Sequence, residues 1–168
     1  MMNELGKIKY AAISAARKFM CIKSYASCRL AAADPDGKTF FLERQPETVE
    51  LGYAVRECLA ASRTLPIEEA KIFFERTALQ RRYEDWLALL MQKFDYKTRR
   101  AVLQRMHVCH VELCNAKITF QPTFHEKLEG WSGELIDKAD YVHIPETSTE
   151  EEIGQAALLA LSRCIGPF

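Results

Sequence analysis

The chain has 168 residues, 48% of them hydrophobic, and its 23 lysine and arginine residues balance 23 aspartate and glutamate residues. This length and apolar content suit one sizeable core, so we expect residues 1–168 to form a single domain. The balanced charge excludes a global attraction to nucleic acid or to anionic membranes. The sequence contains no run of 18 consecutive apolar residues, so we predict no membrane-spanning helix.

The amino terminus and the cysteines together predict a cytoplasmic protein. Residues 1–7 lack the basic stretch and apolar run of a secretory signal, so we expect the reducing cytosol. Six cysteines would indicate disulfides in a small secreted chain, but here we interpret them as buried thiols. None of them forms a C-x-x-C pair; they are Cys21, Cys28, Cys58, Cys109, Cys114 and Cys164.

Short apolar runs between polar breaks predict four strands near the amino terminus. They cover residues 10–13, 19–25, 29–33 and 39–42. Asp34-Pro35-Asp36-Gly37 separates the last two, and its proline and glycine favour a tight turn. We therefore expect a hairpin there and an antiparallel meander over the whole segment.

Helical spacing dominates the middle of the chain. Apolar residues repeat at intervals of three and four from Leu51 to Leu59, which predicts a helix with Thr48 as its N-cap and an end near Arg63. Pro66 opens a second helical region over residues 67–106, with a break near Asp95-Tyr96.

The last third returns to strands and ends in a helix. Residues 108–114 and 117–121 predict a hairpin turning at Asn115-Ala116, because asparagine tolerates the left-handed conformation better than most residues. Residues 122–140 are less regular, 141–144 predict a strand, and 148–164 predict a helix. Ser148 and Glu151 fit a capping box at the start of that helix.

Two segments of the chain echo each other. Residues 39–63 and 141–164 share a strand-loop-helix pattern in which Gly52 and Gly154, like several of their apolar neighbours, are 102 positions apart. Duplication of one unit and convergence of two similarly packed helices both explain this pattern.

Together these elements predict an α+β fold. The sheet is largely antiparallel, built from the N-terminal meander and the central hairpin, and several amphipathic helices cover it.

Histidines and cysteines are the candidates for a metal site or for catalysis. They are His107, Cys109, His110, Cys114 and His125. Neighbouring side chains on a strand point to opposite faces, and no pair has zinc-finger spacing, so we predict no metal, no cofactor and no catalytic residues. No catalytic motif is present either, so we expect no enzyme; a metal-dependent enzyme remains a rival interpretation.

Charge is distributed unevenly along the chain. Residues 71–105 contain nine basic residues and four acidic ones, whereas residues 126–152 contain nine acidic residues and two lysines. The basic helices could bind nucleic acid directly, and this module is the main alternative function. The acidic segment could dock a basic protein. Solvated surfaces explain both stretches equally well.

Several strings, in order across nearly the whole chain from about Tyr10 onward, resemble a known family. They are Asp34-Pro35-Asp36-Gly37, Leu51-Gly52, Ala61-Ser62-Arg63, Tyr96-Lys97-Thr98-Arg99-Arg100-Ala101, Pro122-Thr123, His125-Glu126-Lys127-Leu128, Trp131-Ser132-Gly133, Glu151-Glu152-Ile153-Gly154 and Leu161-Ser162-Arg163-Cys164. Together they resemble immunity proteins of contact-dependent growth inhibition systems.

This resemblance implies a cytoplasmic, non-enzymatic protein that binds and neutralises the C-terminal toxin domain of a surface protein. Many such toxins are nucleases, so the resemblance implies a basic nuclease as the partner, blocked by occupancy of its active site or substrate surface. The acidic segment then supplies the candidate toxin-binding residues, namely Glu126, Glu129, Glu134, Asp137, Asp140 and Glu146. No direct contact with nucleic acid or membrane is expected.

Overall fold

The computed structural model describes residues 7–168, and its largest element is an eight-stranded, mostly antiparallel sheet. The ten strands within residues 7–168 are β1 (Lys9–Ala15), β2 (Phe19–Cys28), β3 (Leu30–Ala33), β4 (Thr39–Glu43), β5 (Arg63–Thr64), β6 (His107–Cys114), β7 (Lys117–Pro122), β8 (Phe124–Lys127), β9 (Gly130–Ser132) and β10 (Val142–Pro145). The sheet order is β10-β7-β6-β1-β2-β3, and β4 and β5 also pair with β2. β8 and β9 form a separate hairpin.

Helices cover both faces of this sheet. They are α1 (Thr48–Ala60), α2 (Ile67–Phe73), α3 (Arg76–Lys93), α4 (Arg99–Leu103) and α5 (Glu150–Ser162), with a short 3-10 helix at Lys138–Asp140. α1 and α5 pack on one face, over Ile13, Ile22 and Val111. α3 and α4 pack on the other face, around Phe19. Because strand side chains alternate, β2 and β6 contribute to both cores.

This architecture confirms the predicted α+β fold and the central hairpin. β6 and β7 pair antiparallel, with Val111 opposite Phe120. Their turn places Asn115 and Ala116 at φ values of 51° and 60°, a left-handed pair suited to a two-residue hairpin. Two non-glycine residues therefore form this turn, both in the left-handed conformation that glycine adopts most readily.

The predicted hairpin at Asp34-Pro35-Asp36-Gly37 is wrong. β3 and β4 do not pair with each other, because both pair with β2 along the same edge. β2 is ten residues long and accepts β4 beside its first half and β3 beside its second half. The turn therefore bulges outward between two collinear strands, and the meander ends at β3.

The helix starts and ends also differ from the predictions. Glu47 rather than Thr48 precedes α1, without a side-chain cap, and α1 ends at Ala60 while Arg63 lies in β5. The capping box of α5 uses Thr149 and Glu152, one residue after the predicted Ser148 and Glu151.

The second helical region contains one break more than predicted. The break at Asp95-Tyr96 is present, with Asp95 at a φ of 55°. A further break at Phe74-Glu75 separates α2 from α3.

The two echoing segments occupy matching positions in the fold. β4 lies beside β2 at one side of the sheet, and β10 lies beside β7 at the other. A Cβ at Gly52 would overlap the carbonyl oxygen of Glu150 in α5, and a Cβ at Gly154 would overlap that of Thr48 in α1. Each helix therefore meets its neighbour at its own glycine. Duplication of one unit and convergence of two similarly packed helices both remain consistent with this arrangement.

Among residues 7–168, no helix is both long and apolar enough to cross a membrane. The expectation drawn from the amino-terminal segment concerns residues 1–7, of which residues 1–6 lie outside the described residues.

Candidate functional site

A pocket of about 490 Å³ opens on the face of the sheet opposite α1 and α5. Ser14, Lys23 and His110, from three neighbouring strands, lie at its floor. α3, β3 and the β8–β9 hairpin surround it. A second hollow of about 230 Å³ shares Tyr25 and His110 with the pocket and extends it along the sheet. The two together form a groove across the strands.

Lys23 is the most unusual residue of the pocket. It lies between Ile22 and Ser24 in β2 and points away from the α1–α5 core, because strand side chains alternate. Its ammonium lies 3.7 Å from the centroid of the Trp86 ring. Burial lowers the pKa of Lys23 to about 8. In the part of the chain that the structure describes, no carboxylate lies within ion-pair distance of its Nζ.

The groups beside Lys23 are uncharged at neutral pH. Burial raises the pKa of Tyr25 to about 12 and lowers the pKa of His110. Their rings meet edge to face, with centroids 6.3 Å apart. Lys23 therefore supplies the positive charge of the pocket floor.

Arg99 holds one wall of the pocket together. Its guanidinium pairs with Glu84 of α3 and with Glu129 of the β8–β9 turn. The Tyr83 hydroxyl donates to the same Glu129 carboxylate at 3.2 Å. This network links α4, α3 and the β8–β9 hairpin.

Trp131 forms the adjoining part of the wall and is held from two sides. Its indole N–H donates to the Met106 carbonyl oxygen at 2.9 Å. The His125 ring stacks on it, with centroids 4.4 Å apart, and shares a hydrogen bond with the Leu128 carbonyl at 2.9 Å. The pocket wall is thus fixed by polar contacts as well as by packing.

The predicted toxin-binding acids are exposed but are not equivalent. Glu129 is engaged with Arg99 and lines the pocket. Asp137 accepts a hydrogen bond from the backbone of Ala139 and so caps the short 3-10 helix. Asp140 and Glu146 lie at opposite ends of β10, whose four residues span roughly 13 Å. Glu126 lies on β8, and Glu134 follows β9.

The histidines and cysteines that were considered as metal ligands are dispersed. Cys109 lies in the core under α5, His110 lies in the pocket, and His125 stacks on Trp131. Among residues 7–168, no group of three or more histidine, cysteine, aspartate or glutamate side chains could hold a metal ion.

Part of the positive charge in residues 71–105 is already paired. Arg99 binds two carboxylates, and Lys71 pairs with Glu68 at 3.1 Å. Arg82 donates to the Phe73 carbonyl oxygen at 2.7 Å, and its guanidinium lies over the Phe73 ring. The exposed basic surface is therefore smaller than the sequence count suggests.

Sequence reasoning missed Lys23 and the aromatic residues around it. The sequence did contain a signal for Lys23. A lysine within the apolar run from Phe19 to Tyr25 occupies a strand position where charged residues are rare, which could have indicated a functional residue. Trp86 and Trp131 gave no local signal, since only the fold brings them to the same pocket.

Comparisons with known proteins agree with one another. A family model described as "CDI immunity protein" matches residues 9–164. The immunity protein CdiI-YPIII of Yersinia pseudotuberculosis serotype O:3 (strain YPIII) is 32% identical over 177 residues, covering 98% of this chain and 100% of that protein.

Two solved structures have the same fold. A Neisseria meningitidis protein of unknown function superposes with a TM-score of 0.89 at 32% identity, covering 98% of this chain and 99% of the other. A chain of a CdiA-CT/CdiI toxin and immunity complex from Yersinia pseudotuberculosis superposes with a TM-score of 0.87 at 29% identity, covering 94% of this chain and 98% of the other.

Proposed function

This chain belongs to the family of CDI immunity proteins, and we propose that it neutralises a nuclease toxin in the cytoplasm by stoichiometric, non-catalytic binding. Immunity against the C-terminal toxin domain of a contact-dependent growth inhibition system is its function.

One observation carries the proposal. The fold matches, over nearly its whole length, a chain from a toxin and immunity complex. Inhibition by occupancy needs a surface that is complementary to the toxin, and stable pairs of this kind bury about 1,600 Å² in total. The groove beside α3, on the face of the sheet opposite α1 and α5, offers a concave part of such a surface.

We propose that the acidic segment contributes long-range attraction. A nuclease must attract phosphate, so its substrate surface is basic, and exposed carboxylates on an inhibitor accelerate encounter with that surface. Glu126, Glu134, Asp140 and Glu146 are exposed, and their side chains make no hydrogen bond or ion pair within the described residues. They are therefore the best candidates within the segment, whereas Glu129 and Asp137 have structural partners.

The test compares toxin binding with nuclease protection. We expect the purified chain to form a one-to-one complex with the toxin domain encoded immediately upstream of its own gene, and to abolish nuclease activity at equal molarity. Failure of the wild-type chain to bind would contradict the proposal. Salt-sensitive binding of RNA or DNA without the toxin would instead favour the nucleic-acid-binding alternative.

Charge reversal tests the acidic segment separately. The triple variant Glu126→Lys, Glu134→Lys, Asp140→Lys should bind more slowly and with a weaker dependence on salt than the wild-type chain. The matched control is Glu43→Lys, Glu47→Lys, Asp85→Lys, which changes the net charge equally at exposed acids outside the segment. Equal association rates for the two triples would refute a role for the segment.

A further inference from the structure

We propose that the pocket receives an aspartate or glutamate side chain of the toxin, and that its carboxylate pairs with the Lys23 ammonium. This inference rests on the proposed function and specifies the chemistry by which the toxin is held. The acidic segment would attract a basic surface of the toxin, whereas Lys23 would bind one acidic side chain of the toxin. Both kinds of charge on the partner would then be recognised.

Lys23 carries the argument because its charge is uncompensated where it lies. Lys23 is half-buried, and an ammonium partly withdrawn from water is normally paired with a carboxylate. Glu129, the carboxylate among the lining residues of the pocket, is bound instead by Arg99 and Tyr83. The face of Trp86 attracts the ammonium, but a ring supplies less than a full counter-charge. A carboxylate entering from outside would complete the site.

The pocket can accept such a side chain without rearrangement of its walls. Its volume of about 490 Å³ exceeds that of an acidic side chain, and Arg99 and the Met106 carbonyl hold Glu129 and Trp131 in place. Ala31–Ala33 of β3 border the opening with small side chains. A preformed cavity loses little conformational entropy on binding, which favours a tight anchor.

The same geometry argues against a phosphate group of nucleic acid. Phosphate sites usually combine several cationic or backbone N–H donors, often from arginine. Here the floor offers one ammonium beside neutral Tyr25 and His110. Arg82 lines the wall, but its Nη2 donates to the Phe73 carbonyl oxygen. A single carboxylate matches this donor set better than a phosphodiester backbone.

The decisive experiment measures Kd for the toxin domain with four versions of the full chain: wild type, Lys23→Met, Ala31→Trp and Lys71→Met. Lys23→Met removes the charge, and Ala31→Trp narrows the opening at an exposed residue without touching Lys23. Lys71→Met is the control, since Lys71 is exposed on α2 and is not a lining residue of the pocket. Circular dichroism and urea midpoints establish that each variant is folded.

We expect Lys23→Met and Ala31→Trp each to weaken binding by roughly 30-fold or more, and Lys71→Met to change Kd by less than about 2-fold. Alanine substitution of the toxin's exposed acids, one at a time, should identify one that weakens binding to the wild type and has no further effect with Lys23→Met.

Three results would overturn the inference. Tight toxin binding by folded Lys23→Met would refute the anchor while leaving the immunity function intact. No binding by the wild-type chain would refute the proposed function and this inference with it. Binding of a short single-stranded RNA that is lost in Lys23→Met, with toxin binding unchanged, would make phosphate the ligand.

Discussion

At the scale of single residues, Lys23 should reduce the stability of the free protein. Burial lowers its pKa to about 8 from an ordinary value near 10.5, which corresponds to about 3 kcal/mol against folding at neutral pH. The contact with Trp86 offsets about 1 kcal/mol of this. We therefore expect Lys23→Met to unfold with a free energy about 1–2 kcal/mol higher than the wild type at pH 7.

The pH dependence gives this prediction its control. Between about pH 8 and pH 10.5 the folded chain releases the Lys23 proton while the unfolded chain retains it, so rising pH relieves the destabilisation. The advantage of Lys23→Met in urea unfolding should therefore shrink from pH 7 to pH 9.5. Lys71→Met should match the wild type at both values, and a destabilised Lys23→Met at pH 7 would contradict the reasoning.

At the scale of elements, the α1–α5 pair depends on two glycines. Alanine at Gly52 or Gly154 would place its Cβ on the opposing helix backbone, which cannot move aside as a flexible side chain can. We expect each variant to lose about 3 kcal/mol of unfolding free energy, measured by urea denaturation. The double variant should lose less than the sum, because one separation of the helices relieves both overlaps.

Gly133→Ala is the matched control for the glycine variants. Among the described residues, apart from its two chain neighbours, nothing lies within 4 Å of where a Cβ at Gly133 would be, so this change should be neutral or slightly stabilising. Unchanged urea midpoints for Gly52→Ala and Gly154→Ala would mean that the helices do not approach each other this closely.

Local patterns predicted which elements form better than they predicted how the elements are joined. Apolar periodicity located nearly every long strand and helix, because burial of one face determines it. The position of the Asp34-Pro35-Asp36-Gly37 turn was predicted correctly, but the pairing of the strands on either side of it was not. β3 and β4 both pair with β2, and residues distant in sequence determine that pairing. Asp34 is buried and bound at 2.7 Å by Arg63, a contact that no local pattern shows.

The capping box of α5 shows a similar limit on a smaller scale. Ser148-Glu151 and Thr149-Glu152 both match the pattern in the sequence, and the path of the chain decides between them. The Ser148 N–H donates to the Pro145 carbonyl oxygen at 3.1 Å, which keeps Ser148 in the turn after β10. The helix therefore starts one residue later, at Glu150.

At the scale of the whole molecule, the pocket lay beyond sequence reasoning because distant segments assemble it. Lys23 comes from β2, Trp86 from α3 and Trp131 from β9, and no interval between them carries a motif. Charge counts pointed to the acidic segment. In the structure, however, Glu129 of that segment pairs with Arg99, and Lys23 has no carboxylate partner among the described residues. The pocket is therefore recognised from the packing of distant segments and not from the charge of any one segment.

The predicted single domain has a consequence for unfolding. Both tryptophans, Trp86 and Trp131, belong to the core on the pocket face, whereas Gly154 lies between the helices on the opposite face. The strands between these two cores, β2 and β6, contribute side chains to both of them. Loss of one core should therefore expose the sheet residues that support the other.

We accordingly expect Gly154→Ala to lower the urea midpoint measured by tryptophan fluorescence as much as the midpoint measured by far-ultraviolet circular dichroism. Coincident transitions in both the wild type and the variant are the signature of one cooperative unit. If the variant lowered only the circular dichroism midpoint, the tryptophan core would have survived the loss of the α1–α5 layer. The two faces of the sheet would then be separate folding units, and the single-domain prediction would be wrong.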